Sequence, residues 1–404
     1  MLVVFCGVFD RIFCMNKKLW LILIVSALGY FVDVYDLILF GIVRTKSLNE
    51  LGIDATTVGF TLLNYQLIGM LLGGFIWGIL GDKIGREKVL FGSIITYSIA
   101  NIANAFVYDV NTYAACRFVG GIGLAGELGV AITLISETMP KSFRGWASTI
   151  VVSFGVLGAV AAKFVAQYVG WRHSYFIGGL LGLLLLVLRM RGLESDMFHK
   201  NKDKFNLGVF LKKNTALKML KCVFLGLPVW VSMTFIVMLA PELGKVKNIT
   251  LNAGDAFMWY EIGVCVGGII AGAIQQRLGA RKLLISACLT FTAVLSFIIL
   301  FFNYTSFVFY ILSALLGVGC GFWVLFIAAT SEQFGVNVRA TATTTCPNFV
   351  RGLITPITFA FVYFKQFGFC FASALVVFSS IALAFIALFL LEETFGKDLD
   401  FVEE

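Results

Sequence analysis

The sequence predicts an all-α membrane protein of twelve transmembrane helices in two six-helix bundles, and three observations carry that expectation: composition, the spacing of apolar stretches, and an internal repeat. Of 404 residues, 59% are hydrophobic and 13% charged, with a mean hydropathy of +0.93. One water-facing fold cannot bury that much apolar side chain, so the remainder has to face lipid. Forty-one Phe suit a lipid-facing surface, and forty-one Gly permit the close helix approaches that hold a bundle together in lipid. The net charge of +8 is spread through short connections rather than gathered in a basic domain, which argues against a nucleic-acid partner. Nine Cys without a Cys-x-x-Cys pair and two His supply no metal-ligand set. No Ser/His/Asp set or phosphate loop stands in the right context either, so neither a cofactor nor an enzymatic activity is expected.

Crossing a bilayer takes about 20 apolar residues, and twelve stretches qualify. Span 1 (19–43) is apolar apart from Asp33 and Asp36, and span 2 (57–81) carries Asn64, Tyr65 and Gln66. Span 3 covers 88–108, and span 4 (112–136) contains Arg117 and Glu127. Span 5 (145–170) contains Lys163, and span 6 covers 171–190. In the second half, span 7 (219–240) carries Trp230, and span 8 (254–276) carries Trp259, Tyr260 and Glu261. Span 9 covers 282–302, span 10 (305–330) carries Trp323, span 11 (340–364) carries Asn348 and Arg351, and span 12 covers 367–391.

Basic residues give the orientation. Lys17, Lys18, Lys83, Arg86, Lys88, Lys141, Arg144, Arg277, Arg281, Lys282, Arg339 and the cluster from Arg189 to Lys221 lie at the N-terminus or in even-to-odd connections. Only Arg44, Lys46, Arg172, Lys245, Lys247 and Lys365 lie in odd-to-even ones, so both termini are expected in the cytoplasm, as in a bacterial inner membrane. Residues 1–14 carry Asp10 and Arg11, lack a small-residue cleavage site and precede Met15-Asn16-Lys17-Lys18, which reads as the natural start. The expected organisation is a cytoplasmic N-terminus (1–18), a first bundle (19–190), a basic cytoplasmic linker (191–218), a second bundle (219–391) and an acidic cytoplasmic tail (392–404).

The division is supported by a repeat. Glu137 to Arg144 after span 4 returns as Glu332 to Arg339 after span 10, both displaced by 195 residues (332 − 137 and 339 − 144). The segment Gly78-x-x-x-Asp82-Lys83-x-Gly85-Arg86 after span 2 returns, 194 residues on (272 − 78), as Gly272-x-x-x-Gln276-Arg277-x-Gly279-x-Arg281. Gly85 permits a tight turn, and Asp82 at a helix end suits a basic group or a neighbouring helix N-terminus. Duplicated halves are a common transporter plan, with the solute site where they meet.

The Gly78–Arg86 segment resembles the signature loop between helices 2 and 3 of the major facilitator superfamily, departing from it at Glu87, where the second basic residue is displaced to Lys88. Asp33-Val-Tyr35-Asp36 with Phe40-Gly41, and Arg117 to Glu127 with Gly121, Gly123 and Gly126, resemble the metabolite:proton symporters that import proline or betaine, citrate, 2-oxoglutarate and shikimate. Glu393-Thr394-Phe-Gly396 resembles the tail motif of the related sugar porters without its Pro. Span 5 has Gly155 and Gly158 but no Gly-Pro step, so the signature of drug:proton antiporters is missing. The resemblance implies that spans 1, 4, 7 and 10 line a cavity, 2, 5, 8 and 11 flank it, and 3, 6, 9 and 12 support it. It also implies a cytoplasmic gate built from Gly78, Asp82, Lys83, Gly85, Arg86, Glu137, Arg144, Glu332 and Arg339.

Ionisable groups in hydrocarbon cost a few kcal/mol or more each and so mark pathways. Asp36, Asp33, Arg117 and Glu127 are the candidates for proton coupling, with Asp36 and Arg117 expected to meet at one level. Lys163 and Glu261 are candidates for a charged pair across the bundle interface. Arg351 lies 12 residues after Arg339, about 18 Å deep and near the midplane, where a guanidinium is a natural clamp for a carboxylate. Asn64, Tyr65, Gln66, Trp230, Trp259, Tyr260, Trp323 and Asn348 complete the expected solute site. The resulting expectation is a monomeric, proton-coupled importer of a small carboxylate-bearing or zwitterionic metabolite working by alternating access, with an exporter or exchanger, and then a non-transporting sensor, as alternatives. Orientation is testable by single-Cys labelling in intact cells: Lys247→Cys is expected to react and Lys200→Cys to be spared, and the reverse pattern overturns it.

Overall fold

The computed structural model describes residues 17–53, 57–140, 143–189, 212–394 and 401–402. The expected early start, most of the linker, most of the tail and Lys141 lie outside the described residues. Everything regular within them is helical. Span 1 is Lys17–Glu50, seven residues longer than expected at its second end, and spans 2 and 3 are Thr57–Ile84 and Arg86–Asn104. Spans 6, 8, 9 and 12 are Trp171–Arg189, Ala253–Leu278, Arg281–Phe301 and Phe369–Leu390. Span 7 starts as Lys213–Ser232, six residues before the expected boundary, and continues through a π-helical turn, Met233–Met238, into Ala240–Lys247.

Four spans carry a pivot. Span 4 divides into Val110–Leu124 and Glu127–Thr138, span 5 into Arg144–Val156 and Gly158–Val169. Span 10 divides into Ser306–Cys320 and Trp323–Gln333, span 11 into Arg339–Gly352 and Ile354–Phe364. Among the described residues ten helices are long and apolar enough to cross a membrane by length and composition. Arg86–Asn104 and the two pieces of span 11 complete the twelve. Their hydropathy is lowered by Asn101 and Asn104 in one and by Thr341, Thr343, Thr344 and Thr345 in the other.

The pivots of spans 4, 5 and 10 tighten the helix locally, because Gly126, Leu157 and Gly321 donate to the third preceding carbonyl rather than the fourth. A carbonyl freed this way inside a membrane needs another donor. At span 4 the donors are Trp77 Nε1, 2.6 Å from the Ile122 carbonyl, and Asn348 Nδ2, 2.9 Å from the Ala125 carbonyl. The second donor comes from the other bundle. Pivots recur with the repeat: 126 and 321 are 195 apart, 157 and 353 are 196 apart.

Glycine fixes the closest packing inside each bundle. A Cβ on Gly69 or Gly73 of span 2 would run into the Phe118 or Ile122 carbonyl of span 4. A Cβ on Gly263 or Gly267 of span 8 would run into the Ala314 or Val318 carbonyl of span 10. Both pairs have the small-x-x-x-small spacing and sit 194 residues apart (263 − 69 and 267 − 73), so the repeat reaches backbone-to-backbone contact. Gly263→Val is expected to lower stability by about 1–3 kcal/mol through overpacking. A thermal melt in detergent checks it, and an unshifted transition would exclude backbone contact there.

Candidate functional site

At the end of the bundle that carries the 2–3, 4–5, 8–9 and 10–11 connections, here the basic face, the first bundle is joined to span 11. Asp82 accepts hydrogen bonds from Ala340 N at 3.3 Å, Thr341 N at 2.8 Å and Thr341 Oγ1 at 2.6 Å. The first amides of a helix have no partner within it and carry the positive end of its dipole, so a carboxylate is their natural cap. Gly78 makes the approach possible, since a Cβ there would lie 2.9 Å from Thr341 Cα.

Arg86 holds this carboxylate from behind. It lies 3.3 Å from Asp82 and 2.9 Å from Glu137, and donates to the Gly81 carbonyl at 2.8 Å. Glu137 also faces Arg339 of the second bundle at 3.8 Å. Within the second bundle Arg281 grips Glu332 through both of its terminal nitrogens, the counterpart of Arg86 with Glu137. Each pair is 51 residues apart, and they repeat at 195. Asp82 has no such counterpart, because Gln276 stands in its place, against Gly145 of span 5. The tail docks nearby: Thr394 Oγ1 accepts from Arg281 at 3.1 Å, and the Phe401 carbonyl from Val336 N at 2.9 Å.

The opposite face is also bridged. Arg44 pairs with Glu242 at 2.7 Å, and Lys163 with Asp255 at 3.1 Å. The expected Lys163–Glu261 pair is therefore not formed, because Asp255 at the start of span 8 reaches Lys163 first. Glu261 faces instead a small chamber of about 30 Å³ at the bundle interface, lined also by Tyr30, Trp230, Tyr260 and Trp323. It has no hydrogen bond or ion pair among the described residues.

Around this chamber the two bundles present complementary groups. Arg351 is 1% exposed, lies 4.9 Å above the Trp230 ring, and donates to Asn348 Oδ1 at 3.2 Å. Its Nε and Nη2 have no hydrogen-bond partner. On the other side Trp323 Nε1 donates to Tyr30 Oη at 3.3 Å, and both oxygens of Asp33, one turn further along span 1, are buried without a partner. Arg351 and Asp33 lie within each other's electrostatic reach across the interface.

The other expected residues divide. Asp36 is fully buried against Gly178 of span 6 with neither oxygen hydrogen-bonded. Arg117 does not pair with it, because its Nη2 donates to Gln66 Oε1 while its guanidinium lies 5.1 Å from the Phe40 ring and 5.6 Å from the Tyr175 ring. Span 1 runs on to Glu50, so Asp36 lies 14 residues from that end (50 − 36) and not the 7 expected. Gln66 thus holds Arg117 rather than lining the chamber. Glu127 is held in a bidentate pair by Arg189, which also reaches the Val25 carbonyl at 3.3 Å, so it is bound rather than free to relay. Trp259 is 42% exposed and faces away from the centre. Asn348 spends both amide hydrogens on Ala125 O and Thr344 O, so it positions Arg351 and has no donor left for a solute. Asn64 and Tyr65 line a separate groove between spans 2 and 11.

Tyr30, Arg44 and Arg189 were not among the expected site residues. Tyr30 stands three residues before Asp33, on the same helical face. The two arginines lie at span ends, where a basic residue reads as a topology signal.

The sequence profile described as Major Facilitator Superfamily matches residues 19–345. The benzoate transport protein of Acinetobacter baylyi is 26% identical over 367 residues, 80% of this chain and 78% of the relative. The sialic acid transporter NanX of Escherichia coli is 28% identical over 272 residues, 65% of this chain and 66% of the relative. The solved structure of the proton:xylose symporter XylE, bound to 6-bromo-6-deoxy-D-glucose, matches the fold with a TM-score of 0.70 at 18% identity, covering 95% of this chain and 98% of that one. For the basic-face contact, Asp82→Asn keeps the shape and removes the charge at the span 11 N-terminus. It is expected to make Thr345→Cys at least about threefold more reactive to a thiol reagent in inside-out vesicles, a loss of stabilisation in the range of one helix-end charge. Unchanged reactivity would show that the contact does not hold the face closed.

Proposed function

Because the chain belongs to the major facilitator superfamily, we propose that it is a proton-coupled importer of a small organic carboxylate, with both termini in the cytoplasm of a bacterial cell. Its bundles, residues 19–190 and 219–391, rock about the central chamber. Secondary transport of a small molecule by a multi-pass membrane protein follows from the family; direction, coupling and substrate class are our reading.

The observation that carries it is Arg351. A permanently charged guanidinium buried over Trp230, which packs in turn on Trp323, with two nitrogens unspent, is costly until an anion meets it. A carboxylate uses the fork through two hydrogen bonds, and the flanking indoles offer flat apolar faces to the rest of the solute. Benzoate and sialic acid, which the relatives' names give as their cargo, both carry one carboxylate.

Coupling draws on Asp33 and Asp36. Carboxyls inside a membrane that have no partner are the groups from which proton relays are built. The charge of Arg351 acts on Asp33, so an arriving carboxylate and Asp33 compete for one positive charge. A proton on Asp33 or Asp36 relieves that competition and travels with the solute; its release on the other side weakens the solute's hold. Arg117, tied to Gln66 near Asp36, keeps a positive charge close to the second carboxyl.

Proteoliposomes test this, with labelled benzoate first and sialic acid second as the probe. Arg351→Lys keeps the charge but loses the fork, so apparent affinity is expected to fall about tenfold or more. Asp36→Asn is expected to abolish accumulation driven by a pH gradient while leaving exchange at equal pH measurable. Accumulation by Asp36→Asn driven by protons alone would move coupling to Asp33 or Glu261, and unaltered affinity in a folded Arg351→Ala protein would end the carboxylate reading.

A further inference from the structure

Outside the central chamber, a groove of about 500 Å³ opens between spans 2 and 11 on the face opposite the basic one. Its walls are apolar and aromatic, with Phe60 and Phe361 facing each other at 6.4 Å between ring centroids. Polar groups interrupt them at set places. Asn64 Oδ1 and Thr355 Oγ1 are both buried and both without a hydrogen-bond partner, and Lys365 stands at the rim. A groove meant only for lipid chains has no use for unpaired polar atoms and a cation, because each costs free energy against hydrocarbon.

The polar groups form a track. Arg351, Thr355, Thr358 and Lys365 recur on span 11 at intervals of 4, 3 and 7 residues, the spacing of one helical face, which places Lys365 about 21 Å along the axis from Arg351. Toward Arg351 the two spans close on each other. Leu71 of span 2 rests on Gly352, where a Cβ would lie 2.7 Å from Leu71 Cδ1, and Gly352 is the residue next to Arg351. Asn348 approaches Gly74 one turn below.

We propose that this groove is an outer binding site for the carboxylate solute, filled before the solute reaches Arg351. Lys365 captures the carboxylate, Phe60 and Phe361 flank the apolar body, and Asn64 and Thr355 supply polar partners. Leu71 on Gly352 is the barrier that side-chain rotation has to clear. The inference rests on the reading of the chain as a carboxylate importer, and it adds a second site, about four helical turns from the first, with a residue of its own to test.

The test uses the full chain in proteoliposomes, oriented with the groove face outward, and labelled benzoate as probe. Lys365→Gln is expected to raise KM about fivefold at low ionic strength, with the loss falling in KM rather than in the maximal rate. Lys365→Arg is expected to stay near the parent, and about 0.5 M salt to erase most of the difference by screening. In parallel, Thr61→Cys, on the exposed part of the groove lining, is expected to react with a small thiol reagent and to be protected by benzoate. Protection is expected to need about fivefold more benzoate when Lys365→Gln is added. Uptake with an unchanged KM in Lys365→Gln overturns the outer site alone. So does Thr61→Cys labelling that is slow and indifferent to benzoate, the result expected of a groove filled by lipid chains. Absence of benzoate and sialic acid uptake by the unaltered protein overturns the carboxylate reading and the groove's role with it.

Discussion

The arrangement depends on one contact, the Asp82 carboxylate against the first amides of span 11. It sets where span 11 begins relative to the first bundle, and everything useful on span 11 hangs from that point. Twelve residues on from Arg339, Arg351 comes to lie over Trp230. Asn348, three residues before it, reaches back to the carbonyl freed at the span 4 pivot. The hydrogen bond from Asn348 to Ala125 thus ties the position of the guanidinium to the bend of a helix in the other bundle.

Buried charges in this protein fall into two kinds, and hydrocarbon makes the distinction meaningful. Glu127 with Arg189, Glu137 with Arg86 and Glu332 with Arg281 are matched pairs, each charge held by its opposite. Removing one member leaves the other uncompensated, at several kcal/mol. Asp33, Asp36, Glu261 and two nitrogens of Arg351 are unmatched among the described residues, and Glu261 lines the chamber at the bundle interface. A stable fold does not require these, since apolar residues of similar size would pack with less strain on solvation. Their presence on spans 1, 8 and 11 is the physical argument for transport.

Much of this was legible in the sequence. The twelve spans follow from hydropathy, the two bundles from a repeat at 194 and 195 residues, and the basic-face contact from Gly78, Asp82 and Arg86. Arg351 and the span 1 aspartates stand out because charge in a membrane is rare. Direction around a helix was harder to read: Trp259 and Tyr260 are neighbours in sequence, yet one faces outward and the other is 1% exposed. Pairing was also hidden, since Lys163 chose Asp255 over Glu261 and Arg117 chose Gln66 over Asp36. Such choices depend on angular position and on helix ends, and the expected end of span 1 was seven residues short. Arg44 and Arg189 were misread for a related reason. Long basic side chains at a span end reach inward as readily as outward, and composition does not record which.

The duplicated braces and the single Asp82 contact differ in what happens to them when the basic face opens. Arg86–Glu137 and Arg281–Glu332 lie within one bundle each and need not break, so each bundle can move as a stiff body. Asp82 has to surrender its three hydrogen bonds to Ala340 and Thr341, and Glu137 its approach to Arg339. Water can replace both sides, since it donates to a carboxylate and accepts from bare helix amides. Opening is then a wetting step: solvent must reach the seam before the bundles part, and its rate should slow as water activity is lowered by an excluded osmolyte.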